Sequence, residues 1–104
     1  MTTDVGQTQH LPEHEARERL EHERNSRLAQ LRTIEDGASH ARDDLQTAQI
    51  AAIRRIVEEI DAAAQRLADG SYGTCTHCRR AIPVERLEIL PYVAFCVACQ
   101  QRAL

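Results

Sequence analysis

Two C-x2-C pairs, Cys75/Cys78 and Cys96/Cys99, lie seventeen residues apart near the end of this 104-residue chain. Nothing else in the sequence restricts the fold as strongly. Each pair bends into a tight turn that points two sulfurs the same way, and two such turns close a tetrahedron of thiolates around Zn²⁺. Four protein ligands leave no position for water, so the expected metal is one structural Zn²⁺ per chain and not a catalytic one. Disulfides and a redox C-x-x-C are the competing readings. A cytosolic setting disfavours disulfides, and no βαβ pattern surrounds the pairs as in a thioredoxin-like site. The metal is also needed energetically. The chain has no Trp, and its only aromatics are Tyr72, Tyr92 and Phe95, too few for residues 70–104 to bury a self-sufficient core. His77 shares a turn with two ligands and reads as an exposed loop residue.

Upstream, the composition changes sharply. From Glu13 to Asp69 there is no Pro and a single Gly, Gly37. Ile53, Ile56, Ile60, Ala63 and Leu67 step by three and four, a heptad seam, with Ile50, Val57 and Ala64 beside it. Ala16, Leu20, Leu28, Leu31 and Ile34 form a thinner stripe interrupted by Arg24 and Arg27, while Glu13–Arg17, Glu15–Arg19 and Glu23–Arg27 sit at the favourable acid-first spacing of four. Between the stripes, Gly37 allows positive φ and Asp36 or Ser39 can cap a second helix. The pattern predicts an antiparallel helical hairpin (coiled coil) with arms of roughly 35 and 45 Å. One uninterrupted helix that dimerises is the alternative. The chain therefore divides into a mobile tail (1–12) ending at Pro12, a hairpin (13–69) with its tip near 35–39, and a C4 zinc finger (70–104). The class is mainly α. His10 and His14 are four apart, but Pro12 between them argues for solvent-facing side chains and not a metal site.

Charge narrows the function. The formal net charge is −3. Residues 1–36 carry five Arg against eight acids, residues 37–69 four against six, and residues 70–104 four against two. Zinc thiolates would cancel that last excess, so no basic stripe remains for phosphate contacts and direct sequence-specific DNA binding is not expected. No apolar run approaches the ~20 residues of a membrane span, and the first residues lack a signal peptide's apolar stretch. A cytoplasmic protein with no membrane partner is expected. An enzyme is not: there is no open metal position, no Ser/His or Cys/His pairing, and no Gly-rich phosphate loop.

The run Asp69-Gly70-Ser71-Tyr72-Gly73-Thr74-Cys75, then Cys78, Ile82-Pro83, Arg86-Leu87, Pro91 and Cys96-Val97-Ala98-Cys99-Gln100 resembles the zinc finger of DksA/TraR proteins. The resemblance covers the last third of the chain, the hairpin before it matches in kind, and the family's finger implies a short C-terminal helix after it. It implies a transcription regulator that binds bacterial RNA polymerase and inserts the hairpin into the secondary channel, where an acidic tip modulates initiation, often together with ppGpp. Against the family's D-x-x-D-x-A tip, Asp36-Gly37-Ala38 matches the second half, Thr33 replaces the first Asp, and Glu35 offers a substitute carboxylate. Glu35, Asp36 and Ala38 are thus the expected partner-binding tip. The Gly that usually follows the second Cys is Arg79 here. Alarmone-responsive members use basic residues on the second helix and after the last Cys. Here Arg54 and Arg55 are the candidates for the former and Gln100 holds the latter, which leaves a ppGpp response open. A zinc-finger DNA-binding or protein-interaction module, or a thiol redox sensor, is the alternative function. Tyr72, Pro83 and Pro91 read as packing and turn residues, and Arg79, Arg80 and Arg86 as either partner contacts or solvated loop charges.

Overall fold

The computed structural model describes residues 10–37 and 43–103, and its principal extents are 61 × 30 × 24 Å. It is mainly α. Helix α1 spans Glu13–Gly37 and helix α2 spans Asp44–Asp69. Two short helices follow, α3 at Val84–Ile89 and α4 at Val97–Ala103. The only sheet-like pairing among the described residues is one antiparallel bridge, Thr74 to Ala81.

The antiparallel hairpin forms because α2 carries the heptad seam. Ile53, Ile60 and Ala63 are buried, with Ile56 and Leu67 half-buried beside them. The flanking column behaves differently: Ile50 is buried, Val57 half-buried and Ala64 exposed. A single partner helix covers a narrow strip of α2, so the column beside the seam is open along most of its length. On α1 only Ala16 and Leu20 are buried. Leu28, Leu31 and Ile34 are half-buried, so the packing thins towards the tip. Arg24, which breaks the α1 stripe, pairs across the hairpin with Asp61 at 2.8 Å. The three acid-first pairs of α1 form as the spacing predicts. Exposed pairs of this kind contribute only about 0.3–0.5 kcal/mol each, so the hairpin rests mainly on its apolar layers.

Both ends of α2 have identifiable stops. Asp43 is the N-cap: its carboxylate accepts from the Gln46 amide at 2.8 Å, and the Gln46 side chain accepts from the Asp43 amide in return. The sequence reading placed this cap at Asp36 or Ser39. The structure corrects it, because α1 continues through Gly37 and takes Asp36 into its last turn; Ser39 lies outside the described residues. With 26 residues, α2 is shorter than the expected arm. Its C-terminus ends at Gly70, whose amide still bonds the Arg66 carbonyl and whose φ of 88°, a conformation that favours glycine, turns the chain so that the Ser71 amide reaches the same carbonyl at 2.9 Å. Asp69 accepts from the Ser71 amide and hydroxyl, and the two bonds hold its carboxyl below the ordinary carboxylate range.

The base of the hairpin and the finger share one core. Leu11, Ala16, Cys75, Ile82, Leu87 and Cys99 are buried together. Leu67 and Tyr72 also touch the Leu20–Ile60–Ala63 layer and so join the two clusters. Leu11, read from sequence as part of a mobile tail, is 8% exposed. Its neighbours across the core are in the finger, so nothing local in the sequence marks it. Three arginines then fix the segment 88–95. Arg19 donates to the Glu88 carbonyl, Arg66 to those of Tyr92 and Val93, and Arg86 to that of Phe95. Arg86 is therefore an internal tether, which is neither of its two sequence readings and corrects both. The Tyr72 hydroxyl donates to the Pro91 carbonyl at 2.8 Å, and burial pushes the phenol up to about 12, so it stays protonated and able to donate.

Candidate metal centre

Each cysteine pair is presented by backbone that the sequence can be seen to build. The first follows the Thr74–Ala81 bridge, where the Cys75 amide donates to the Arg80 carbonyl at 2.8 Å and the Ile82 amide to that of Gly73 at 2.8 Å. Between them the chain turns back on itself, the Arg79 amide reaching the Cys75 carbonyl at 3.0 Å. The second pair opens α4: Cys96 immediately precedes the helix, its carbonyl accepts from the Gln100 amide, and Cys99 lies in the first turn. Thr76 joins the two knuckles, its amide and hydroxyl both donating to the Ala94 carbonyl.

The result is a cluster in which the sulfurs of Cys75, Cys78, Cys96 and Cys99 all lie within 4.8 Å of one another. The Cys78 and Cys96 sulfurs are 3.8 Å apart, far beyond a disulfide bond. That spacing equals the edge of a sulfur tetrahedron with a metal–sulfur bond of about 2.3 Å, roughly 3.8 Å. Cys75 and Cys99 are buried, and Cys78 and Cys96 half-buried. The electrostatics also call for a cation. Burial opposes ionisation of Cys75, but amides of Cys78, Cys96 and His77 turned towards its sulfur outweigh it and bring the thiol down to about 5. Cys99 receives a bond from Arg102 that favours its thiolate, yet burial and the three neighbouring sulfurs prevail and push it up to about 11. A lowered Cys75 thus stands beside a raised Cys99, and a positive ion between them favours the thiolate form. The donor set fits zinc, and it offers no open position.

The profile of the prokaryotic dksA/traR C4-type zinc finger family matches residues 70–103. Residues 70–103 are a DksA/TraR zinc finger. The General stress protein 16O of Bacillus subtilis is 43% identical over 47 residues, covering 45% of this chain and 29% of that protein. The RNA polymerase-binding transcription factor DksA of Caulobacter vibrioides is 39% identical over 49 residues, covering 47% of this chain and 34% of that protein. The chain thus spans about a third of the length of these curated relatives. Among solved structures, transcription factor DksA2 from Pseudomonas aeruginosa superposes with a TM-score of 0.52 at 23% identity, covering 84% of this chain and 73% of that one. The hairpin-plus-finger fold is therefore DksA-like. The metal centre holds one structural Zn²⁺.

Other residues singled out in the sequence fall into place around the DksA/TraR finger. His77, His10 and His14 are exposed, and none joins the cysteine cluster. Arg79 has φ 68°, the only positive φ at a non-glycine among the described residues. The family's usual glycine fits that backbone freely, whereas a side chain there costs roughly 1–2 kcal/mol. Arg79→Gly is expected to raise the midpoint of thermal unfolding, with a net gain of about 0.5–1 kcal/mol after the added freedom of the unfolded chain is subtracted. Calorimetry on the zinc-loaded protein checks this, and an unchanged or lower midpoint would contradict the strain argument.

At the far end of the hairpin, Glu35 accepts a bond from Arg54 at 2.6 Å. Asp36 is exposed, and no ion-pair partner for it occurs among the described residues. The Thr33 hydroxyl turns back to the Ala29 carbonyl and supplies no charge. Ala38, the third expected tip residue, lies outside the described residues. Among the described residues, no helix is long and apolar enough to cross a membrane.

Proposed function

We propose that this protein is a cytoplasmic transcription regulator that binds bacterial RNA polymerase, inserting its helical hairpin into the secondary channel to modulate initiation. In this reading residues 13–69 are the inserted rod, residues 70–104 its base, and Cys75, Cys78, Cys96 and Cys99 the zinc ligands. The supporting observation is the placement of Glu35 and Asp36 at one end of a hairpin whose other end shares a core with a DksA/TraR finger. A carboxylate carried on a stiff rod into a narrow channel acts where water is scarce and a metal-bound centre is near, conditions under which one charge has the largest leverage. The action is by protein contact, without catalysis by this chain, membrane attachment or sequence-specific DNA contact. Arg54 is engaged by Glu35 and Gln100 is uncharged, so a ppGpp contact would fall to other residues, Arg55 among them.

Co-purification with core RNA polymerase tests the proposal. The intact chain is expected to bind, and to bind promoter DNA alone only weakly and without sequence preference. Failure to bind polymerase, or a sub-micromolar and salt-steep affinity for DNA alone, would replace this reading with a DNA-binding one.

A further inference from the structure

Four thiolates around one divalent ion carry a formal charge of about −2, yet the core that holds two of them is otherwise lined by Leu11, Ala16, Ile82 and Leu87. Part of that charge is met by the backbone, the Cys78 amide pointing at the Cys75 sulfur at 3.5 Å. Among the described residues, one charged side chain also reaches a cysteine sulfur. Arg102 lies three residues beyond Cys99, close to one helical turn along α4, and its Nη2 donates to Cys99 Sγ at 3.7 Å. The other basic residues of the finger are placed elsewhere. Arg79 and Arg80 are exposed, and Arg86 is bonded to the Phe95 carbonyl.

We propose that Arg102 is a positioning residue of the zinc centre, whose guanidinium holds Cys99 Sγ, offsets part of the site's negative charge and slows loss of the ion. A charge-assisted N–H···S bond withdraws electron density from the sulfur and occupies the direction from which a competing electrophile would approach it. The bond is asymmetric. Cys99 is guarded, while Cys78 and Cys96 are half-buried and receive no guanidinium among the described residues. Partners outside the ligand set commonly change metal affinity 10–100-fold, which sets the scale expected here. The inference rests on the four-cysteine zinc reading. Failure of that reading would show as wild-type protein that binds no zinc, whereas failure of this one would show as bound zinc whose release ignores Arg102.

The test compares full-length wild type with Arg102→Gln, Arg102→Lys and Gln101→Gly. The zinc-loaded proteins are mixed with excess chromophoric chelator to time zinc release, and the cobalt-loaded proteins report the sulfur-to-metal charge-transfer band. Arg102→Gln is expected to release zinc about tenfold faster and to move the band to lower energy. Arg102→Lys, which keeps the charge but not the planar fork, should recover part of both. Gln101→Gly loosens the same short helix at an exposed position and should leave the band where it is. Unchanged release and an unmoved band in Arg102→Gln would overturn the proposal. So would a Gln101→Gly protein that releases zinc as fast as Arg102→Gln, since helix fraying would then explain the effect.

Discussion

Replacing Cys75 with Ser is expected to unfold residues 70–103 and to loosen the first turns of α1 with them. Cys75 is fully buried and packs in one cluster with Leu11, Ala16, Ile82, Leu87 and Cys99. Metal binding by structural zinc sites contributes on the order of 10–16 kcal/mol to folding, as much as the whole net stability of a typical domain, roughly 5–15 kcal/mol. Losing one ligand of four therefore exceeds what the few apolar side chains of the finger can supply. The damage should spread further than the finger, because Leu11 and Ala16 belong to the same cluster. It should also stop part-way along the rod, since Leu20, Ile60 and Ala63 form a layer without any cysteine. Circular dichroism should show a partial loss of helix, tyrosine signals from Tyr72 and Tyr92 should lose their fixed environment, and a chelator should reproduce both changes in the wild type until zinc is restored. A chelated protein with unchanged tyrosine signals and an unchanged unfolding midpoint would refute the shared-core argument.

What could be read from the sequence was what a local pattern encodes. The zinc centre was legible because the C-x2-C spacing is itself the geometry of a knuckle, and the α2 seam because Ile53, Ile60 and Ala63 recur at helical period. Leu11 was not. It stands alone after a polar stretch, and its partners Ile82 and Leu87 are some seventy residues away. Helix α3, with six residues, is too short to show a period, although Pro83 followed by Glu85 in the first turn is the kind of start that could have marked it. The α2 cap was present in the sequence as Asp43-x-x-Gln46, a capping-box pattern, but Gly37 drew the turn forward by several residues. Glycine permits a turn without requiring one, and here it ends α1 as a helical residue. The roles of Arg19, Arg66 and Arg86 were hidden for another reason. A guanidinium on a distant carbonyl is a tertiary event that leaves no spacing in the chain.

Asp36→Asn is expected to abolish the effect on initiation while leaving fold and polymerase binding intact. Asp36 lies in the last turn of α1, which holds no basic residue. Carbonyl groups there give the helix end a partial negative charge, so a carboxylate is disfavoured by about 0.3–1 kcal/mol. A residue that served only the hairpin would improve on being neutralised, and Asp36→Asn should make the hairpin slightly more stable. Glu35 differs. Arg54 already meets its carboxylate across the hairpin, so Glu35→Gln should cost a few tenths of a kcal/mol, the usual worth of an exposed pair, and leave most of the regulatory effect. Asp43 is committed to capping α2. Asp36 is thus the described carboxylate between the two helices that the fold least needs, as expected of a group kept for a partner. Thermal unfolding, polymerase binding and in vitro transcription on wild type, Asp36→Asn and Glu35→Gln separate these roles. If Asp36→Asn regulates transcription as well as wild type does, the tip assignment fails, and Asp44, the remaining exposed carboxylate at the start of α2, takes its place as the group to test.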